Sequence, residues 1–475
     1  MNGMAAAFDS KNIIKELGEL SEKTIKGLQT ISTIEKIDVG TAPKELVFEE
    51  DKLQLYHYVQ EGPITCKVPV LIVYALVNRQ YMLDLQPDRS LIRKLLQKGL
   101  DIYIIDWGYP TKQDMYVTLD DYIDEYINDC VDFITKTTPA KKVNLMGICQ
   151  GGTFSTIYAA LYPEKVQNLV TLVTPIDFDT KDALLFSWSD YMDADKIAEV
   201  FRVVPGEFLN AGFLMMSPFT LNIRKYVEMI DIMEDREKLL NFLRMEKWIF
   251  DSPGQAGAAY SRFIKDMYQK NKLVKGELTI NGRKVDLKNI TVPLLNIYAS
   301  SDHLVPPSST KPLNDLVGST DKSLYEFKGG HIGVFVGSKS QKELAPNISK
   351  WLHDRSLCDE PGPGEKTVQA KGAVSAREAA PPEGPAMQLG VAAGMTENAG
   401  AAGAVVHKKE GLAHTAEVVA EVAEKKAEAR PPKKIEIKVA PPETYSAPKA
   451  KAVKPKAEEP PRAKPAKKAG KKKKK

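Results

Sequence analysis

A Gly-x-Cys-x-Gly pentapeptide, residues 147–151, most constrains what this chain can fold into. An apolar run over 143–148 precedes Cys149, and a helical pattern over 153–161 follows it. A strand, a sharp turn and a helix in this order form an elbow that presents a nucleophile, with glycines where strand and helix pass closely. The N-terminal N–H groups of the helix favour a thiolate. We therefore predict that Cys149 is a nucleophile. The alternative is a structural cysteine that packs as a small apolar residue.

The composition divides the chain into a mildly acidic part and a basic part. Residues 361–475 contain 24 Lys and Arg against 13 Glu, a net charge of +11, which leaves −7 for the preceding 360 residues. This segment also has 14 of the 30 prolines, and Tyr445 is its one aromatic residue of the Phe, Trp or Tyr type. So little apolar surface cannot offset the entropy lost on ordering. We predict a disordered Ala/Pro/Lys-rich basic tail over residues 357–475.

The four cysteines are scattered without a paired or metal-ligand spacing, and no histidine cluster accompanies them. This pattern suits reduced thiols in a cytoplasm and predicts no metal site. The N-terminus lacks a basic start followed by an apolar core, and the longest apolar run, 68–77, is too short to cross a bilayer. We expect a cytoplasmic protein without a membrane span.

Alternation of strands and helices begins after an N-terminal segment, 1–36. Apolar residues recur at three- and four-residue intervals over 10–31, which predicts an amphipathic helix that packs on its own core or binds a partner or an apolar particle. The alternating strand and helix patterns over residues 37–176 predict a parallel α/β sheet with right-handed crossovers. The predicted elements are strands within 45–60 and at 68–77, 101–106, 143–148 and 166–174, with helices at 90–97 and 119–135, the latter capped by Thr118.

The alternation stops over residues 177–288, where helical and aromatic-rich segments replace it. An insertion at the end of the sheet where the elbow lies predicts a cap over Cys149. Its apolar side chains favour a greasy channel, although the core of an ordinary helical subdomain would contain the same residues.

The sheet pattern resumes over residues 289–356 and adds two polar candidates. Asp302 follows a strand over 292–298, and His331 follows a strand over 323–327. The order nucleophile, acid, histidine is typical of the α/β-hydrolase fold, which we therefore predict, with a mostly parallel sheet and a helical cap. His331 would take the thiol proton while Asp302 orients it. His303 is the rival base, but adjacent loop residues usually point apart, so Asp302 could hardly orient it.

Two backbone N–H groups are expected to stabilise an oxyanion beside Cys149. One should belong to Gln150, which follows the nucleophile, and the second to the loop after the 68–77 strand, near Leu76 or at Val77. Taken singly, Asp302 could equally cap a helix and His331 could be a solvated loop residue. No substrate-binding residue is assigned from the sequence.

Four segments together resemble the catalytic subunit of polyhydroxyalkanoate synthases: 147–152, 302–306, 330–336 and 77–84. The similarity covers roughly residues 10–356 and fits the short two-component kind, class III more than class IV. It implies a bacterial acyltransferase that polymerises (R)-3-hydroxyacyl-CoA, with 3-hydroxybutyryl-CoA as the expected monomer and no cofactor beyond the coenzyme A that carries it. It further implies an accessory subunit, a homodimer or hetero-oligomer, and a place at the surface of polymer granules.

The same resemblance implies that Cys149 holds the growing chain as a thioester, that His331 is the general base, and that Asp302 assists it or activates the monomer hydroxyl. Two other functions remain open. A Cys-dependent hydrolase, of the thioesterase or dienelactone hydrolase type, would share the elbow but would not need so large an insertion. A non-catalytic granule or nucleic-acid binding protein would use the N-terminal helix and the tail, whose last residues, 454–475, resemble the Ala-Lys-Pro tails of linker-histone-like proteins and suit sequence-blind contact with phosphates.

Overall fold

Eight strands from two stretches of the chain form one sheet. In this computed structural model the described residues are 22–60, 62–216, 219 and 223–356. The sheet order is β1-β2-β4-β3-β5-β6-β7-β8, in which β2 runs antiparallel to both neighbours and the remaining pairs are parallel. The strands are β1 Lys44–Glu50, β2 Leu53–Tyr58, β3 Cys66–Val73, β4 Leu100–Asp106, β5 Val143–Ile148, β6 Val166–Leu172, β7 Leu294–Ala299 and β8 Lys322–Phe327.

Helices cover both faces of this sheet, as the nearly unbroken apolar strands require. One apolar cluster lies under the helices at 127–137 and 150–161, and the other under those at 91–96, 333–336 and 345–353. The α/β-hydrolase fold predicted from the sequence is confirmed. The helices around the sheet are α1 (22–32), α2 Leu91–Leu96, α3 Ile127–Thr137, α4 Gln150–Leu161, α12 Pro307–Thr310, α13 Leu313–Leu316, α14 Gly333–Val336 and α15 Ala345–His353.

A long excursion between β6 and β7 holds the remaining α-helices of the described chain. They are α5 Leu184–Ser189, α6 Ala194–Phe201, α7 Gly206–Met216, α8 Lys225–Ile232, α9 Arg236–Phe250, α10 Gly257–Phe263 and α11 Lys272–Lys275. A π-helical turn, Ile264–Gln269, continues α10. Near its end the excursion contacts the helix that precedes α3, where the Asn281 side chain donates to Asp124 at 2.7 Å.

One predicted boundary is wrong: the strand expected over 68–77 ends at Val73. Its partners β4 and β5 also finish here, and the Val73 and Tyr74 carbonyls already lie against the start of α4 at Gly151. The chain must therefore leave the sheet to pass over that helix. The apolar residues that follow, Ala75 and Leu76, are buried in a loop, which a count of apolar residues cannot distinguish from a strand.

The described chain ends at Ser356, at the edge of the sheet where the parallel strands β5 and β6 begin. The Ser356 hydroxyl accepts from the side-chain amides of Asn144 at 3.0 Å and Asn168 at 3.2 Å, which lie near the N-terminal ends of β5 and β6. The elbow follows the opposite end of β5. The predicted tail, 357–475, and the first part of the predicted N-terminal helix lie outside the described residues.

Candidate active site

The elbow places Cys149 in a strained backbone conformation between β5 and α4. Its φ is 52° and its ψ is −124°, a region that residues with a Cβ rarely adopt. The Cys149 N–H donates to the Leu172 carbonyl of β6 at 2.9 Å, which ties the turn to the sheet. A Cβ at Gly147 would lie 2.4 Å from the Gly152 Cα, and one at Gly151 would lie 2.3 Å from the Val73 carbonyl oxygen. Only glycine fits at these two positions.

Loops after two different strands bring His331 and Asp302 to the thiol. His331 Nδ1 lies 2.7 Å from Asp302 Oδ2, and His331 is near enough to Cys149 for the sulfur to raise the pKa of the imidazole. The Asp302 carboxylate is fully buried, and its Oδ1 accepts from the N–H groups of Leu304 at 2.9 Å and Val305 at 2.8 Å. These bonds orient the carboxylate, which in turn orients the imidazole. The rival histidine, His303, is exposed.

The electrostatics of this group favour a positively charged imidazole. Burial acts to lower the pKa of His331, but the charges and hydrogen bonds of Asp302 and Cys149 outweigh it and raise that pKa to about 10. An imidazolium beside a thiol is the environment in which cysteines become nucleophilic. His331 is therefore a charged imidazolium next to the elbow before a substrate arrives.

The loop after β3 supplies a backbone N–H near the elbow. The Leu76 N–H is already engaged, because it donates to the Gln150 side-chain oxygen at 3.0 Å. In the described part of the chain no protein group accepts the Val77 N–H. The Gln150 N–H belongs to the first residue of α4, where helical N–H groups have no partner within the helix. Of the two neighbours considered from the sequence, Val77 is thus the one available to a substrate.

One tyrosine of the core and one of the excursion lie near enough to the thiol for its charge to act on them. Burial, followed by the charge of Cys149, raises the pKa of Tyr74, which follows β3, and of Tyr268, which lies in the π-helical turn. Both phenols therefore stay neutral. Met245 and Ile249 of α9 pack against the same apolar cluster as Cys149.

Sequence reasoning missed the polar groups that hold the site in place. The Gln150 side chain, counted only for its backbone, fixes Leu76, and Asn78 adopts a left-handed conformation with φ 57°. An asparagine directly after a buried apolar stretch was a usable signal, because Asn tolerates that conformation. Within the described residues, no group of three or more His, Cys, Asp or Glu side chains could hold a metal ion, and no helix is long and apolar enough to cross a membrane.

Comparisons with known proteins agree with this architecture. The family model of the alpha/beta hydrolase fold matches residues 68–338, and that of the poly-beta-hydroxybutyrate polymerase (PhaC) N-terminus matches residues 9–95. The poly(3-hydroxyalkanoate) polymerase subunit PhaC of Allochromatium vinosum is 51% identical over 345 residues, covering 72% of this chain and 97% of the relative. That of Synechocystis sp. is 48% identical, covering 72% and 93%. Among solved structures, a Paleococcus ferrophilus monoacylglycerol lipase covers 64% of this chain and 99% of its own at 18% identity, with a TM-score of 0.42.

Fold and family match define a protein of the α/β-hydrolase class, with a cysteine at the elbow between β5 and α4. Half of the aligned residues are shared with relatives matched over nearly their whole length. The chain belongs to the PhaC family of poly(3-hydroxyalkanoate) polymerases and is an acyltransferase. The resemblance inferred from four short segments is thereby confirmed.

Proposed function

We propose that this polymerase takes (R)-3-hydroxyacyl groups from coenzyme A thioesters and carries the growing chain as a thioester on Cys149. The observation that carries this proposal is the thiol at a strained elbow beside the His331–Asp302 pair, whose Nδ1 to Oδ2 distance is 2.7 Å. The names of the relatives, poly(3-hydroxyalkanoate) polymerase, supply the product class.

The chemistry has two steps, and neither hydrolyses the acyl group: it passes from one thioester to another and then into an ester. In acylation, the Cys149 sulfur attacks the thioester carbonyl, and the coenzyme A thiol leaves with the proton that His331 held. In elongation, the hydroxyl of the next hydroxyacyl-CoA attacks the acyl carbon on Cys149 and its proton passes to His331, so an ester bond forms while the carbon–sulfur bond to Cys149 breaks. This leaves the Cys149 thiolate free and the lengthened chain on coenzyme A. A repeat of the acylation step returns the chain to Cys149 and releases the coenzyme A thiol. We assign the Gln150 and Val77 N–H groups to the oxyanion of both steps. The insertion, 177–288, acts as a cap that keeps water from competing with the hydroxyl.

Incubation with 3-hydroxybutyryl-CoA tests this function directly. Insoluble polymer together with free coenzyme A supports the polymerase. Soluble 3-hydroxybutyrate with free coenzyme A would instead identify a hydrolase, and the absence of coenzyme A release would favour a binding protein. Whether the monomer is 3-hydroxybutyryl or longer is decided by the same assay with a series of acyl lengths.

We further propose partners for the excursion: an accessory subunit as in the class III kind, a second copy of the chain, and the polymer surface. Its helices α6, α7 and α8 each expose a large apolar side chain, Val200 at 69%, Met215 at 60% and Val227 at 58%. Exposed apolar side chains on several helices are typical of surfaces that contact a protein or an apolar phase. A cytoplasmic granule surface offers both.

Asp302→Asn is expected to spare acylation more than elongation. The amide still occupies the buried position and can still orient His331, but it no longer raises the basicity of the imidazole. A thiol is acidic enough to lose its proton to a weaker base, whereas the far less acidic hydroxyl of elongation is not. Elongation should fall by about 10²-fold or more, the range for loss of a general-base function. Single-turnover acylation followed by measured chain growth separates the steps. Equal losses in both steps would contradict this division of roles.

Removal of residues 361–475 is expected to leave specific activity unchanged. Cys149, His331 and the loop after β3 all lie at one end of the sheet, whereas Ser356 is bonded at the other. The removed segment has a net charge of +11, so the intact chain should retard DNA in a gel-shift assay at low salt, and its affinity for DNA should fall steeply as the salt concentration rises. The truncated chain should not retain DNA. If the intact protein fails to retard DNA at low salt, the nucleic-acid role of the tail is wrong.

A further inference from the structure

The loop that contains Val77 is bonded on one side to the core and on the other to a helix of the excursion. Leu76, before Val77, donates to the Gln150 side chain of the core at 3.0 Å. Asn78, after Val77, donates through its side-chain amide to the carbonyls of Trp248 at 3.2 Å and Ile249 at 3.1 Å. The Val77 amide is therefore held between the core, through Gln150, and helix α9 of the excursion.

These bonds use the last turn of α9, whose carbonyls have no partner within the helix. The indole N–H of Trp248 returns a bond to the Arg79 carbonyl at 2.8 Å, so the two chains are joined in both directions. Asp251, directly after α9, adds a carboxylate that accepts from the hydroxyls of Tyr81 at 2.9 Å and Tyr109 at 2.6 Å. We call these hydrogen bonds of Asn78, Trp248 and Asp251 the clasp. Trp248 is 8% exposed, so its buried ring keeps competing water away from the clasp.

We propose that α9 positions the Val77 amide through Asn78 and Trp248, so that the oxyanion site is complete only while α9 is docked on the loop. The inference rests on the proposed function, since it presupposes Val77 as an oxyanion donor. Asn78 and Trp248 are positioning residues, because they act through Val77. Acylation thus depends on the contact between α9 and the loop, even for a substrate that does not touch α9.

Two variants loosen the clasp without removing the backbone geometry. Asn78→Gly removes the amide, and glycine adopts a φ of 57° without strain. Trp248→Phe keeps a buried ring and removes the indole N–H. The matched control is Tyr226→Phe, which removes a hydroxyl bonded to Glu246 of the same helix at 2.7 Å, away from the loop.

The test compares two reactions of the same thiol. Transfer from 3-hydroxybutyryl-CoA passes through an oxyanion, whereas alkylation of Cys149 by iodoacetamide does not. Loss of an oxyanion donor costs about 10²- to 10³-fold, so partial misplacement should slow single-turnover acylation by about 10- to 100-fold and leave alkylation within about twofold. Tyr226→Phe should change neither rate.

Two other outcomes would overturn the positioning role of Asn78 and Trp248. One is an unchanged acylation rate in both variants. The other is a parallel change of the acylation and alkylation rates, which would indicate a disturbed Cys149–His331 pair. Failure of the wild-type protein to release coenzyme A through Cys149 is a different result, because it removes the proposed function itself. Rescue of the acylation rate in Asn78→Gln, if the longer amide reaches the same carbonyls, would support the clasp further.

Discussion

Cys149→Ala abolishes coenzyme A release while the protein stays folded; this is the largest effect we expect. Alanine keeps the Cβ and therefore bears the same backbone strain at φ 52°, and the backbone bond to Leu172 does not involve the side chain. The thiol is only partly buried and contributes little packing. Without a sulfur no acyl-enzyme can form, so turnover should fall by at least about 10⁴-fold. Coenzyme A release and thermal unfolding, measured on the same preparation, check both parts.

Two controls sharpen this result. Cys130→Ala removes a fully buried thiol of α3, which belongs to a different apolar cluster from Cys149, and should keep coenzyme A release. Cys149→Ser should be severely impaired, because a hydroxyl stays protonated where a thiol ionises. Substantial turnover in folded Cys149→Ala would rule out the acyl-thioester mechanism.

His331→Gln is expected to lose both acylation and elongation. The neutral amide can neither hold the thiol proton nor accept one from a hydroxyl, and it leaves the buried Asp302 carboxylate without its positive partner. We expect a fall of about 10²- to 10⁴-fold in each step, the usual contribution of general acid–base catalysis. Single-turnover acylation and chain growth are again the measurements.

The chain supplies a matched control in His303, the exposed histidine beside Asp302. His303→Gln makes the same chemical change on the neighbouring loop and should leave both rates unaltered. A larger loss in His303→Gln than in His331→Gln would reverse the assignment of the base.

The sheet and the placement of Cys149, Asp302 and His331 were predictable because each depends on a local pattern. Buried parallel strands are continuous apolar runs, and the elbow requires glycines that are visible in the sequence at 147 and 151. The order of Cys149, Asp302 and His331 along the chain follows from the order of the strands that carry them. The hydrogen bond between Asp302 and His331 needed only that two neighbouring parallel strands end at the same edge.

The polar contacts around the loop after β3 were not predictable, because they join residues about 170 positions apart in the sequence. Nothing local distinguishes Trp248 as a donor to Arg79 from an ordinary core tryptophan on an amphipathic helix. The end of β3 was likewise hidden, since the buried loop residues Ala75 and Leu76 are as apolar as the strand before them. Tertiary packing, and not propensity, sets these features.

The bonds of Ser356 to Asn144 and Asn168 bear on how this polymerase can be engineered. β5 has six residues, so its two ends are about 20 Å apart at 3.3 Å per residue. A fluorescent reporter, an affinity matrix or a monomer-supplying enzyme joined after position 356 would be attached at the end of the sheet remote from the thiol. Cargo displayed there would leave the path of the nascent polyester open, whereas cargo inserted near α9 would load the loop that contains Val77.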